Sequence, residues 1–516
     1  MIPRMNHPTS PTDMDACYLA LKARDARFDG CFFTGVTSTG IYCRPVCRVR
    51  TPKRENCRFF SLAAQAERAG FRPCLRCRPE LAPRQPSLGM AQDKAWSMQD
   101  ASAILATQAA TLMDAPAVPD APVLTVQRLA QRLGISDRHL RRIFEAQWGV
   151  SPLQYLQTRR LLSAKQLLTD TPLAVARVAE LSGFASVRRF NAAFASHYGL
   201  NPTQLRHTQL SSHHLTAQEG LHVRLSYRPP YDVAALLNFL ATRQITTLEV
   251  VDPTNASLGK TMALTYGQQR VTGWVLAHFD AARCRVKLQV SDSLGEVLPQ
   301  VIARVRSLLD LDADPLAINS VLHADFPQGD GLRLPGTLDG FELAVRAVLG
   351  QQITVAAART LAQRLVTRFG EPITTPLPGL TRLFPAPQTL AAASADELGA
   401  LGIVKQRQAA IQALARAVAS GQLNLDTAVN VQTTLTQLCA LPGIGDWTAN
   451  YIAMRALHWP DAFPAGDVAL HKALGVQHTP HPAKAALAAS QAWQPWRSYA
   501  VIRAWASLSR SGKNTQ

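Results

Sequence analysis

Four cysteines stand at metal-ligand spacing: Cys43 and Cys47 are separated by three residues, 26 residues intervene, and Cys74 and Cys77 are separated by two. Two short loops can each aim two thiolates at one tetrahedral ion, the arrangement zinc takes with sulfur. The segment around them is dense in arginine and poor in apolar residues, so a metal staple accounts for its folding. Zinc also keeps cysteine as the thiolate, its nucleophilic form, at neutral pH. Cys17, Cys31 and Cys57 have no partner at such spacing. A second chemical feature is Leu441-Pro442-Gly443-Ile444-Gly445, between two helical stretches. Its glycines let the backbone approach a phosphate, which the hairpin N–H groups and the following helix N-terminus bind without reading sequence. Gly443, Ile444, Gly445 and Thr448 are therefore candidate DNA contacts. Asp467, about 20 residues beyond the hairpin, precedes VALHKAL and can cap that helix.

The elements that would hold a polyanion are helical. LTVQRLAQRLGISDRHLRRIFEAQWG predicts an amphipathic helix ending at Gly134, a tight turn, and a second helix capped by Ser136. That helix turns Leu140 and Phe144 inward and Arg138, His139 and Arg142 outward. The motif recurs at an offset of fifty residues, Phe144 over Phe194, Gly149 over Gly199 and Pro152 over Pro202. The second copy offers Arg188, Arg189 and Asn191. Such helices enter the major groove, where Arg can pair with guanine and Asn with adenine.

The chain has 516 residues, too many for one core, and carries a formal net charge of +18. Of this, +8 lies in residues 1–88 and +8 in 121–206. Concentrated arginine points to nucleic acid. No apolar run approaches the roughly 20 residues of a membrane span, and the N-terminus lacks a signal-like apolar core. The expected location is the cytoplasm, on the nucleoid. The expected fold is multidomain and mainly α. It comprises a small zinc-bound α+β module (1–88), a linker (89–120) with one weak helix near 99–113, and an all-α double helix-turn-helix (121–206). A mixed α/β domain (221–334) and an all-α helix-hairpin-helix domain (335–516) follow.

Three resemblances extend this reading. ARDARFDGCFFTGVTSTGIYCRPVCR and AGFRPCLRCRP resemble the N-terminal domain of Ada-type adaptive-response proteins. In that family the cysteine matching Cys43 takes a methyl group from a methylphosphotriester; a purely structural zinc site is the alternative. Residues 121–206 resemble the DNA-binding domain of AraC-type regulators. LSYRPPYDVAALLNFL, GLRLPGTLDGFELAVRAVLGQQIT, the hairpin and WQPWRSYAVIRAW resemble bacterial 3-methyladenine DNA glycosylase II, of the helix-hairpin-helix glycosylase superfamily. That resemblance implies Asp467 as the catalytic carboxylate, and Trp447, Tyr451, Trp505 and Phe239 as the lining of a pocket for an extruded alkylated purine. Rings suit a cationic base. Superfamily members with lyase activity place a Schiff-base lysine where this chain has Trp447, which implies a monofunctional enzyme. Where the family inserts a leucine into the DNA stack, this chain has Gln351-Gln352-Ile353, leaving Gln352 or Ile353 as the wedge. There is no iron–sulfur cysteine loop and no Pro-Cys-His-Arg motif of an O6-methylguanine methyltransferase. The expected partners are duplex DNA and RNA polymerase, the expected cofactor is Zn2+, and the chain is expected to act as a monomer. The alternative is a regulator with a non-catalytic DNA-binding C-terminal half.

Overall fold

The computed structural model describes residues 14–84, 98–116, 124–210, 220–267, 269–426 and 430–511. Among them no helix is long and apolar enough to cross a membrane. The N-terminal unit carries a four-stranded sheet in the order Cys57–Phe60, Phe33–Val36, Ile41–Cys43, Arg72–Pro73. Its core is thin and aromatic, with Phe33 edge-on to Tyr42 at 5.7 Å and Phe60 5.6 Å from Phe71. The last two strands pair in parallel, Ile41 beside Arg72 and Tyr42 beside Pro73. One residue further on, Cys74 N–H donates to the Tyr42 carbonyl. That pairing brings the two cysteine pairs together.

The repeat appears as two helix-turn-helix units. Val126–Arg132 is followed by Asp137–Trp148, and Val175–Leu181 by Val187–Tyr198. Ser136 and Ser186 cap the second helix of each by accepting from the N–H three residues on. The helix Pro152–Asp170, opened by a Ser151/Gln154 capping box, joins the units. Within the segment read as a linker, the helix Met98–Asp114 packs into the first unit. Its Ala106, Ala109, Ala110 and Met113 are buried, the last three in one cluster with Leu129, Leu140 and Phe144. Small alanines every three or four residues give this helix a narrow apolar stripe that a hydrophobicity scan underrates.

The next unit is a five-stranded antiparallel sheet in the order Leu221–Ser226, Arg285–Val290, Gln269–Asp280, Ser257–Tyr266, Glu249–Asp252. Alternation is visible where Leu221, Val223 and Leu225 turn inward and His222 stays exposed. The remaining helices include Gly340–Leu349, Val355–Phe369, Lys405–Ala419, Val431–Cys439, Asp446–Arg455, Val468–Ala473 and Arg497–Ser511, around one large core.

The units are tied by buried polar groups. Arg228 is fully buried and donates to five carbonyls: Asp29 and Pro83, Arg84, Asp312 and Ala313, at 2.8–3.2 Å. Arg44 pairs with Asp29 and also reaches Ser226 Oγ at 3.2 Å. Arg78 bridges Glu80 to Asp170, and Lys165 meets Glu80 at 2.8 Å. Buried charges are tolerated only when paired in this way.

Candidate active site and metal centre

The four sulfurs of Cys43, Cys47, Cys74 and Cys77 lie within 4.8 Å of one another. Three of these residues are buried, and the Arg44 backbone N–H donates to Cys77 Sγ at 3.3 Å. Four converging sulfurs with an amide aimed at one of them fit a tetrahedral zinc–thiolate centre. Cys43 and Cys47 also border an apolar cavity lined by Leu21, Val36, Val49 and Pro52, beside the buried Thr34 that faces Cys43 across the sheet.

The outward faces of the two second helices carry the expected polar groups. Arg138, Arg142, Arg188, Arg189 and Asn191 are exposed, and His139, half-buried, accepts from or donates to Arg142 at 3.1 Å. Leu140, Phe144, Phe190 and Phe194 are fully buried beneath them.

In the hairpin, Gly443 has φ +74, and a β-carbon there would sit 2.9 Å from Ala410 Cβ, so only glycine fits. Gly443 and Gly445 are exposed. Ile444 is different: its side chain is buried and its N–H closes the turn onto the Leu441 carbonyl at 3.2 Å. Its side chain therefore anchors the hairpin from within. Thr448 is buried as well, its hydroxyl accepting from Gln351 Nε2 at 2.9 Å.

Asp467 caps the helix Val468–Ala473 and does more. Oδ1 accepts from Leu470 N–H at 2.6 Å and from Trp505 Nε1 at 3.0 Å; Oδ2 accepts from Trp447 Nε1 at 3.0 Å. Three neutral N–H donors thus fix the orientation of the carboxylate. Trp447 stacks on Tyr451 with centroids 5.4 Å apart and planes at 17°, while Tyr451 and Trp505 are 6.3 Å apart at 40°. Neither separation admits a further ring between the pair, so the three rings form one packed aromatic cluster beside the carboxylate.

Two arginines missing from the sequence reading complete this cluster. Arg455 Nη1 donates to the Tyr451 hydroxyl at 2.7 Å while its other nitrogens hold the Pro335 and Gly336 carbonyls. Arg243 lies 3.7 Å over the Phe239 ring, so one face of that ring is already covered by a cation. Burial raises the Tyr451 phenol, but Arg455 and Arg243 outweigh it and hold the group below its ordinary value. Burial brings the Arg243 guanidinium down to about 10. Both arginines stand four residues after an aromatic ring on the same helical face, or just past its end, a spacing that could have signalled them.

A helix-hairpin-helix with a carboxylate and aromatic cluster beyond it, joined to a zinc–cysteine module and a double helix-turn-helix, defines a base-excision DNA repair protein fused to a transcription regulator. Family profiles agree: the metal binding domain of Ada over residues 16–80, a helix-turn-helix domain over 129–208, the AlkA N-terminal domain over 222–339, and the HhH-GPD superfamily of base excision DNA repair proteins over 345–498. The chain is 37% identical over 504 residues to the probable bifunctional transcriptional activator/DNA repair enzyme AlkA of Mycobacterium tuberculosis, covering 96% of this chain and 97% of that protein. It is 36% identical to DNA-3-methyladenine glycosylase 2 of Escherichia coli over 54% of this chain and 95% of the relative. It is 32% identical to the Escherichia coli bifunctional transcriptional activator/DNA repair enzyme Ada over 39% of this chain and 51% of the relative. The chain belongs to the family of bifunctional transcriptional activator/DNA repair enzymes of the AlkA type, and its four-cysteine cluster is a Zn2+ site of the Ada kind.

Proposed function

We propose that this chain excises alkylated purines from duplex DNA as a monofunctional glycosylase and senses alkylation damage through its N-terminal half. Gly443 and Gly445 hold the backbone, and Gln352 enters the stack as the base leaves it. The extruded ring is received against the aromatic cluster of Trp447, Tyr451 and Trp505, beside the Asp467 carboxylate that two of these indoles hold. The bond from C1′ to the base nitrogen breaks and its electron pair neutralises the cationic base. Asp467 stabilises the oxocarbenium-like sugar and orients the water whose oxygen joins C1′, accepting its proton. Trp447 offers no amine for a Schiff base, so the product is an intact abasic strand.

In the N-terminal half, the Cys43 thiolate attacks the methyl carbon of a methylphosphotriester. A sulfur–carbon bond forms, the carbon–oxygen bond breaks, and the phosphate leaves as a diester anion. The zinc keeps the sulfur ionised; once methylated, the site loses a negative charge and DNA binding tightens. The helix-turn-helix pair then holds a promoter and RNA polymerase is brought to it, with the chain acting as a monomer on the cytoplasmic nucleoid.

The observation carrying the enzymatic reading is the Asp467 carboxylate held by Leu470, Trp505 and Trp447 just beyond the hairpin. The test is incubation of the purified protein with methylated duplex DNA. Release of 3-methyladenine or 7-methylguanine is expected, with strand breakage only after alkali. Breakage by the protein alone would refute monofunctionality, and no release would refute the reading.

A further inference from the structure

We infer that the zinc module is a brace that fixes the separation of the two DNA-facing helices, Asp137–Trp148 and Val187–Tyr198, so that they read two groups of bases at one set spacing. The inference concerns the DNA-binding half and is independent of the glycosylase reading. The two helix-turn-helix units are packed in different apolar cores. Leu129, Leu140 and Phe144 of the first belong to one cluster, and Val178, Phe190 and Phe194 of the second to another. The helix Pro152–Asp170 runs from one to the other, giving Tyr155 and Leu156 to the first cluster and Leu161, Ala164 and Leu168 to the second. Helices of this length bend, so one shared helix beneath two separate cores leaves their mutual angle loosely set.

The zinc module spans this gap at two equivalent places. Gly149 and Gly199, fifty residues apart in the repeat, end the two helices with φ +65 and +69. At the first end Gln65 Nε2 donates to the Trp148 carbonyl at 3.0 Å, and Arg68 donates to the Gly149 carbonyl and lies 3.4 Å from Glu145. At the second end Arg72 Nη1 lies over Gly199, 2.8 Å from where a β-carbon would stand, and His197 Nε2 is 3.0 Å from Glu67 Oε1. One short stretch, residues 65–72, thus touches both helix ends. A helix C-terminus carries unpaired carbonyls and a partial negative charge, so a guanidinium placed there is held by both.

The brace is itself anchored. Ala64 is buried in the core of the first unit. Glu67 accepts from Tyr42 at 2.8 Å and from Thr158 on the connecting helix, and Lys165 of that helix donates to the Cys74 carbonyl at 3.2 Å and to Glu80 at 2.8 Å. Arg72 stands two residues before Cys74, in the strand whose pairing gathers the sulfurs. The residues that build the metal centre therefore also set the angle between the DNA-facing helices. Inserting one base pair between two recognised groups of bases shifts the second by about 3.4 Å and turns it by about 34°. A braced pair of helices cannot follow that change, whereas a pair joined by one bending helix can.

The experiment selects the duplexes that the full chain binds from a random-sequence pool, then remakes the recovered site with one base pair inserted between its two halves. For wild type the insertion is expected to weaken binding at least about tenfold, the low end of what losing one side-chain–base pair costs. The double variant Arg68→Ala/Arg72→Ala, which alters two exposed side chains, should lose less than about threefold on the same insertion. Arg68→Lys/Arg72→Lys, which keeps a cation at each helix end, should retain most of the wild-type penalty. An equal penalty for wild type and the alanine variant overturns the inference, even if the variant binds both duplexes more weakly, because the arginines would then be phosphate contacts only. A recovered site with a single half overturns it too. If the alanine variant melts below wild type, Glu145→Ala/His197→Ala, which removes the partners of Arg68 and Glu67 from the helix side, takes its place with the same expected outcome.

Discussion

Replacing Asp467 by Asn separates its two jobs. The asparagine keeps an oxygen for Leu470 N–H and the Trp505 indole, and asparagine caps helices about as well as aspartate. Its amide nitrogen then faces Trp447 Nε1, now 3.0 Å from Oδ2, donor against donor. A partly buried donor stripped of its acceptor costs about 1–3 kcal/mol, and Trp447→Phe in the same chain returns that amount. Catalysis has no such remedy. Losing a preorganised group aimed at developing charge lowers kcat by about 10²–10³, and here a full negative charge beside a cationic sugar is lost, so the fall should lie at or beyond the upper end. The assay is single-turnover release of 7-methylguanine, with duplex binding and thermal melting measured on the same preparations. Asp467→Asn should bind DNA like wild type, melt slightly lower and release almost no base; the double variant should regain stability only. If release stayed within about tenfold of wild type, or returned together with stability, the carboxylate would be a helix cap and nothing more.

Mass spectrometry after exposure to DNA bearing methylphosphotriesters should find one methyl group, on Cys43, and none on a Cys43→Ala protein; a methyl on Cys47, Cys74 or Cys77 instead would refute the assignment. Arg228→Met leaves five carbonyls without their donor and should lower stability by about 3–5 kcal/mol, read as a drop in melting temperature; an unchanged melt would mean that this interface does not hold in solution. For Glu249, burial raises the carboxyl, but Lys260 and Arg346 outweigh it and hold it at about 2. A folded value below the unfolded one contributes stability above roughly pH 4.3, lost as pH falls toward the folded value. Acid unfolding of the C-terminal half should therefore span about pH 4 to 2, and Lys260→Met should move it to higher pH; circular dichroism that shows an unmoved midpoint would rule this out.

What was legible in the sequence was local. Cysteine spacing, serine caps, the glycine hairpin and 3.6-residue periodicity are short-range constraints, and each fixed its own element. The central strand Gln269–Asp280 carries Gly273 within it, and a glycine inside a strand weakens the local signal for one. Gly273 is required there for a tertiary reason: a β-carbon would meet Ser291 Oγ at 2.1 Å. At the active site, Asp467 and the aromatic residues were reached by resemblance. Their connection through two indole N–H groups was not, because it joins residues 20 and 38 positions apart on three helices. Arg243 and Arg455 stand only four residues from Phe239 and Tyr451, so their contacts are local and the spacing carried a signal, and they alter the chemistry. The pocket was expected to offer bare electron-rich rings to a cation, yet Phe239 is already covered by Arg243 and the Tyr451 hydroxyl by Arg455. Tyr451 is likewise occupied, stacked on Trp447 with Arg455 5.6 Å from its ring centroid.

The break near residues 207–220 separates the halves in sequence, but the apolar surface ignores it. Leu168, Val178 and Phe194 of the helix-turn-helix units share one core with Leu221, Val223 and Leu294 of the sheet unit. Gln166 Nε2 donates to the Arg224 carbonyl at 3.1 Å, and Arg224 N–H to Asp170 at 3.3 Å. Asp170 also receives Arg78 from the zinc module, whose Arg44, next to Cys43, reaches Ser226 at the end of the first sheet strand. Three units thus converge on one buried, charge-balanced seam. Apolar burial fixes their distance; the arginine fans, each needing several carbonyls at once, fix their orientation. A seam of this kind costs several kcal/mol to open because every arginine would leave partners unsatisfied. The relation between the zinc–cysteine site and the glycosylase half is therefore set by the same residues that keep the sensor module folded, and neither half presents its own surface unchanged without the other.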